Sequence, residues 1–149
     1  MQLGMIGLGR MGGNIVRRLM RHGHSTVVYD KDAKAVAGLA ADGAVGSATL
    51  EEFISKLERP RTAWVMLPAG HITETTIDTI AGVMQEGDVI SDGGNTFWQD
   101  DVRRGKALKA RGDFDVLTER GRRALRVHLK GDLASGLKAL DAAIAEALN

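Results

Sequence analysis

Residues 3–30 constrain the fold more than any other part of the chain. An apolar run with Leu3, Met5, Ile6 and Leu8 leads into Gly7-Leu8-Gly9-Arg10-Met11-Gly12, a G-x-G-x-x-G spacing. Met11, Ile15, Val16, Leu19 and Met20 then recur on one face of a helix, and the β-rich run Thr26-Val27-Val28-Tyr29 ends in Asp30. Strand, turn, helix, strand and acid in that order make a βαβ unit, whose parallel strands need a crossover helix and a sheet covered by helices.

Each part of that unit suits a dinucleotide. Gly7 allows a tight turn off the first strand, Gly9 lets the backbone come close to a pyrophosphate, and Gly12 lets the helix lie close to the sheet. The N–H groups at the helix start, at the positive end of its dipole, face the phosphates. Asp30 falls 18 residues after Gly12, where an acid accepts hydrogen bonds from the adenosine ribose hydroxyls. Its carboxylate favours NAD over NADP, because like charges about 4 Å apart cost on the order of 4 kcal/mol at an effective dielectric of about 20, and less where solvent enters. Lys31 is adjacent and softens that repulsion.

The rest of the chain repeats the alternation. A helix over 33–41 stops at Asp42-Gly43, an edge strand follows at 44–47, and Thr49 with Glu52 forms a capping box that opens a helix over Phe53, Ile54 and Leu57. Residues 62–67 are a continuous apolar run, the mark of a parallel strand covered on both faces, and Pro68-Ala69-Gly70 breaks it. Thr73 is expected to cap a helix with Ile77, Ile80, Ala81 and Met84 inside, stopping at Gly87. A strand over 88–91, closed by Asp92-Gly93-Gly94-Asn95, precedes a helix over 98–111. The expected fold is therefore α/β, a Rossmann-type doubly wound sheet of about six parallel strands with an added edge strand and a C-terminal helix. Ligands on such sheets bind beyond the carboxyl ends of the strands, so the three breaks at 7–12, 67–70 and 92–95 are expected to line one crevice.

Composition closes off other classes. With no cysteine, disulfides, thiol catalysis and thiolate metal sites are excluded. A net charge of +1 gives no bulk attraction to nucleic acid or membrane. The first strand starts at once, so no signal peptide is expected, and no apolar run approaches transmembrane length. A cytoplasmic location is expected. His22 and His24 lack the surrounding carboxylates of a metal site, and His128 reads as a surface residue. The basic residues Arg103, Arg104, Lys106, Lys109, Arg111, Arg120, Arg122, Arg123 and Arg126 have no interleaved aromatics, so they read as solvated faces rather than a nucleic-acid surface.

The chain resembles 6-phosphogluconate dehydrogenase, above all its NAD-using branch, within the β-hydroxyacid dehydrogenases. The resemblance is carried by Met5-Ile6-Gly7-Leu8-Gly9-Arg10-Met11-Gly12, by Met66-Leu67-Pro68-Ala69-Gly70 and by Thr73-Glu74-Thr75-Thr76-Ile77. It is completed by Gly87-Asp88, Ser91-Asp92-Gly93-Gly94-Asn95-Thr96 and Asp100-Asp101-Val102-Arg103-Arg104. Many dehydrogenases share the glycine motif; the Asp-Gly-Gly-Asn segment with the following Asp-x-x-Arg-Arg is far more specific. The resemblance implies that Gly9, Arg10 and Met11 lie under the pyrophosphate and nicotinamide, that Asp30 holds the adenosine ribose, and that Leu67, Pro68 and Ala69 border the coenzyme. It places Asn95 near the nicotinamide ribose and the sugar-acid substrate. It also implies the oxidative decarboxylation of 6-phosphogluconate, a step of the pentose phosphate pathway.

The likeness covers residues 1–112 and fades over 113–149, which are expected to close a single domain with a strand at 114–117, a turn at Arg120-Gly121, a half-exposed strand over 124–129 and a helix carrying Leu133, Leu137, Leu140, Ile144 and Leu148. The family's Lys-x-x-His-Asn segment and catalytic glutamate, which the resemblance places in and before a large helical domain, are not in these residues. The expectation is a domain that binds NAD, binds 6-phosphogluconate weakly at most, and is inactive alone. Two alternatives stand beside it: a non-catalytic or engineered minimal coenzyme module, and a small dehydrogenase that completes its site across a homodimer.

Overall fold

A strand that re-enters a sheet parallel to its predecessor needs a crossover of a dozen residues or more, usually a helix, and the chain supplies one after each of its first five strands. The structure, a computed structural model, describes residues 1–94, 98–110, 115–117 and 126–129. In order these are β1 (Gln2–Ile6), α1 (Arg10–Arg21), β2 (Ser25–Tyr29), α2 (Ala33–Ala41), β3 (Val45–Ser47), α3 (Leu50–Lys56), β4 (Thr62–Val65), α4 (His71–Ala81), β5 (Val89–Asp92), α5 (Trp98–Ala110), β6 (Asp115–Leu117) and β7 (Arg126–Leu129). The turn at Arg120-Gly121 and the helix expected over 133–148 lie outside the described residues, as do the side chains of β6 and β7.

One sheet holds all seven strands in the order β3-β2-β1-β4-β5-β7-β6. β1 to β5 pair in parallel, which is the doubly wound α/β arrangement. The expectation of six parallel strands with a strand added at the edge needs correction at the β5 side. β7 pairs antiparallel with both β5 and β6, so β6 points the same way as β1–β5 and the reversed strand lies inside the sheet. Only residues 118–125 separate β6 from β7, too few for a crossover, so the second strand of that pair runs back along the first.

The apolar runs in the sequence divide between the two sheet faces by strict alternation. Leu3, Met5 and Val28 face Val16 and Leu19 of α1 and Leu39 of α2. Ile6, Val27, Ala63, Val65 and Ile90 face Phe53 of α3, Ile77 and Ile80 of α4 and Leu108 of α5. Phe53 and Ile77 are fully buried, and each contributes roughly 1.5–3 kcal/mol by leaving water.

Two helix starts show what the local chemistry does. At α3 the Glu52 N–H donates to Thr49 Oγ1 at 3.1 Å, while Glu52 Oε2 accepts from Ala48 N at 2.6 Å. The capping box therefore reaches one residue further back than its usual form. At α4 the expectation that Thr73 caps the helix is corrected: the N-cap is Gly70, at φ +107°, and Thr73 lies inside the first turn. Its buried hydroxyl instead donates to the Pro68 carbonyl at 2.8 Å. α4 ends at Ala81 rather than Gly87, and a turn in which the Val83 and Met84 N–H groups both reach the Ile80 carbonyl carries Met84 into the core.

At the amino end of the sheet, Asp88 precedes β5 and is buried. Its carboxylate accepts from the N–H of Arg61 at 2.7 Å, the Arg61 guanidinium at 3.2 Å and the N–H of Gln85 at 2.9 Å. These bonds satisfy a charge that burial alone would penalise by several kcal/mol.

Candidate coenzyme site

The chain leaves β1 toward β2 on one side, and β4 returns on the other, so strand order reverses between β1 and β4. A crevice forms at such a point beyond the carboxyl ends of the strands. Here it encloses about 870 Å³ and is lined by all three chain breaks expected to meet there, through Gly7, Leu67, Pro68, Gly93 and Gly94 among others.

The glycine turn is built by close approach. Gly7 has φ +94°, a conformation that side chains resist, and a Cβ there would lie 2.4 Å from the Met66 carbonyl oxygen. A Cβ on Gly12 would lie 2.0 Å from the Gly7 carbonyl oxygen, so the first turn of α1 rests directly on the loop. Gly9 differs from both. A Cβ on Gly9 would meet nothing within 4 Å, so the protein's own packing does not need a glycine there, and the open space leaves the backbone accessible from the crevice. Gly9 is also the N-cap of α1, which has no side-chain cap and no acid in its first turn. The first N–H groups of a helix have no partner within it, and here they meet the crevice with the positive end of the helix dipole behind them.

Asp30 stands at the carboxyl end of β2 and lines the crevice. Its Oδ2 accepts the Leu8 N–H at 2.6 Å and its Oδ1 accepts the Asp32 N–H at 2.9 Å. Each oxygen keeps a second acceptor position for a sugar hydroxyl. Lys31 and Arg10, both exposed, line the same crevice.

Nine of the residues expected to hold a dinucleotide line the crevice: Gly7, Gly9, Arg10, Met11, Gly12, Asp30, Lys31, Leu67 and Pro68. Leu8 and Ala69 do not. The Leu8 side chain is buried in the core beneath α1, and Leu8 touches the site through its N–H on Asp30. Ala69 is exposed in the turn before α4. Asn95 lies outside the described residues. Ile6, Tyr29, Leu50, Met66, Ile72 and Thr76 also line it without having been expected to hold the coenzyme. Ile72 and Thr76 are one helical turn apart on α4, a spacing that places them on one face, but only the placement of α4 shows that this face looks into the crevice.

Arg104 is a correction. It read as part of a solvated basic stretch, yet it is buried in α5 with its Nη1 donating to Asp92 Oδ2 at 3.0 Å. Its neighbour Arg103 is exposed and pairs with Glu74 of α4. Among the described residues, no group of three or more His, Cys, Asp or Glu side chains is placed to hold a metal ion, and no helix is long and apolar enough to cross a membrane.

An uncapped helix start over a bare Gly9 and a carboxylate at the next strand's end are the donor and acceptor set that a dinucleotide requires. Comparison with known proteins agrees. Residues 2–117 match the family model described as the NAD binding domain of 6-phosphogluconate dehydrogenase. The chain is 39% identical over 110 residues to the NAD(+)-dependent, decarboxylating 6-phosphogluconate dehydrogenase of Haloferax volcanii, a match covering 74% of this chain and 37% of that protein. It is 38% identical over 112 residues to the decarboxylating 6-phosphogluconate dehydrogenase of Staphylococcus aureus strain Mu50, covering 72% of this chain and 24% of that one. The matched region thus spans well under half the length of these curated relatives.

Among solved structures, the Plasmodium falciparum 6-phosphogluconate dehydrogenase, described with its cofactor NADP+, superposes with a TM-score of 0.69 at 27% identity over 78% of this chain and 27% of that one. The 3-hydroxyisobutyrate dehydrogenase of Mycobacterium tuberculosis gives 0.73 at 18% identity over 98% of this chain and 51% of that one, a likeness of fold. This is a nicotinamide dinucleotide-binding chain, and it belongs to the family of the NAD binding domain of 6-phosphogluconate dehydrogenase.

Proposed function

We propose that the chain binds NAD in preference to NADP and forms the coenzyme-holding part of an oxidoreductase that oxidises and decarboxylates 6-phosphogluconate. The observation that carries the preference is the Asp30 carboxylate, pinned by two backbone N–H groups at the crevice rim, where this reading puts the adenosine ribose. A pinned carboxylate cannot swing away from a 2′-phosphate, whereas it accepts the hydroxyls of an unmodified ribose. Lys31 beside it reduces the discrimination without removing it. The Haloferax volcanii relative is named as NAD(+)-dependent and the Plasmodium falciparum one is described with NADP+, so both coenzymes occur among the relatives and the local charge decides.

When bound, the nicotinamide supplies the hydride acceptor. The chain's own part is to seat the diphosphate on the start of α1, fix the adenosine ribose at Asp30, and wall the other half of the coenzyme with Leu67, Pro68, Gly93 and Gly94. Oxidation of the substrate alcohol also needs a base, and the later decarboxylation needs an acid. Among the described residues lining the crevice, the charged side chains are Arg10, Asp30 and Lys31. Asp30 and Lys31 stand at the adenosine side, away from the reacting carbon, and an arginine stays protonated. On this reading the described residues hold the coenzyme and the acid and base come from groups outside them, so the 149-residue chain is expected to bind coenzyme without turning over 6-phosphogluconate.

Isothermal titration with NAD and with NADP tests the first statement, and following reduced coenzyme by its near-ultraviolet absorbance in the presence of 6-phosphogluconate tests the second. NAD is expected to bind about tenfold more tightly than NADP, a difference of about 1.4 kcal/mol, with no reduction of coenzyme. Absence of NAD binding overturns the coenzyme reading. Brisk turnover overturns the division of labour.

A further inference from the structure

Gly93 and Gly94 form part of the crevice wall, yet neither has a side chain by which the protein can hold it. Gly93 is fixed through its N–H, which donates to the Val65 carbonyl at 2.9 Å, and Gly94 through its N–H on Asp92 Oδ1 at 3.0 Å. The fit on the other side is tight: a Cβ on Gly94 would lie 2.6 Å from the Leu67 carbonyl oxygen, and one on Gly93 would lie 1.9 Å from the Trp64 indole nitrogen. The loop is thus pressed against the end of β4, and Asp92 holds it there.

Asp92 is itself held. Its second oxygen accepts from Arg104 Nη1 at 3.0 Å, with the two side chains 1% and 5% exposed. A buried ion pair adds little net stability over apolar residues of similar size, because desolvation offsets the attraction. What it supplies is a fixed direction, since a carboxylate bound at both oxygens cannot rotate. Resting on the coenzyme reading above, we propose that Asp92 and Arg104 are positioning residues for the nicotinamide half of the dinucleotide. Arg104 orients Asp92, Asp92 sets the height of Gly94, and the Gly93-Gly94 backbone with Leu67 forms the wall against which the ring end rests. The diphosphate lies at β1 and the adenosine ribose at β2, so the strand order β2-β1-β4-β5 puts the other half of the coenzyme at β4 and β5. The pair therefore acts on one end of the ligand only.

That asymmetry is testable in the 149-residue chain by titrating NAD, and ADP-ribose, which lacks the nicotinamide ring, and by recording the emission of bound NADH, which reports the surroundings of the reduced ring. Arg104→Met leaves Asp92 buried without its guanidinium and is the harsher variant. The double variant Asp92→Val/Arg104→Met removes both charges, and circular dichroism and melting confirm its fold. The expected result for the double variant is ADP-ribose affinity within about twofold of the parent, an NAD-to-ADP-ribose affinity ratio lowered about fivefold, and bound NADH emission moved toward that of free NADH. Should the double variant not fold, D92N carries the same ratio test. Equal weakening of both ligands with unchanged emission assigns the pair a purely structural role and overturns the proposal, as does a variant indistinguishable from the parent. A parent chain that binds neither ligand removes the coenzyme reading itself, a result separable from the other two because it appears before any substitution is made.

Discussion

The carboxylate of Asp30 accepts the backbone N–H of Leu8 at 2.6 Å, so the residue that ends the second strand also braces the turn that ends the first. The same side chain receives the Asp32 N–H, tying the glycine turn to the start of α2. Asp30 is therefore a strut for the glycine turn as well as the ligand proposed for the ribose.

Asp30→Ala should show both roles. The part-buried Leu8 N–H and the exposed Asp32 N–H lose their acceptor, which costs about 1–2 kcal/mol of folding stability in urea denaturation. NAD affinity should fall about tenfold while NADP affinity falls less, because the repulsion of the 2′-phosphate is removed along with the ribose contacts. Titration with both coenzymes checks the narrowing.

The glycines of the motif should separate cleanly. Gly7→Ala forces a side chain into φ +94° and against the Met66 carbonyl, and should cost roughly 2–4 kcal/mol of stability. Gly9→Ala meets no protein atom and keeps a φ of −59° that alanine adopts freely. Its stability should stay within about 0.5 kcal/mol of the parent. Coenzyme affinity of Gly9→Ala should nonetheless drop about tenfold or more, since the Cβ enters the space proposed for the diphosphate. Melting curves beside titrations distinguish the two.

These contrasts show what the residues reveal before any fold is drawn. The course of β1, α1 and β2 and the site around Gly7, Gly9, Gly12 and Asp30 were legible because every local signal in residues 3–30 agrees. The helix Ala33–Ala41 was legible to the residue because Asp42-Gly43 ends it. Arg104 was not, because in sequence it is one cation among many and only its packing against Asp92 singles it out. Thr73 misled because a threonine hydroxyl serves equally as an N-cap or as a donor to a nearby carbonyl, and Gly70 had already taken the cap. The direction of β7 was hidden because alternation marks a strand without saying which way it runs.

At the opposite end of the sheet, Asp88→Ala should be among the most damaging single changes. It strands the Arg61 guanidinium and the Arg61 and Gln85 N–H groups. The expected cost is about 3–5 kcal/mol. Coenzyme affinity of the folded fraction should stay within about twofold of the parent, because the change lies far from the crevice. Denaturation and titration on one preparation test both.

The start of α3 should respond to acid. Hydrogen bonding to Lys56 and to the Ala48 N–H lowers the pKa of Glu52 below its ordinary 4.5. Glu51 is lowered by its own backbone N–H and by Thr49. A carboxylate with a depressed pKa in the folded state stabilises fully above 4.5, and the contribution is lost as pH falls through the folded value. Glu52→Gln should therefore melt below the parent at neutral pH, by a small margin for an exposed group. The two melting temperatures should converge as the pH is taken below 4.5. A gap that persists in acid would assign the effect to shape rather than charge.

β5 carries a carboxylate at each extremity, Asp88 immediately before it and Asp92 as its last residue, and each is clasped by an arginine from a different part of the chain. Sliding this four-residue segment by a single step against β4 would invert every side chain and strip both acids of their cations at once. The segment is thereby latched at both tips, and the rim of the crevice inherits its alignment from a lock whose other half is at the far end of the sheet.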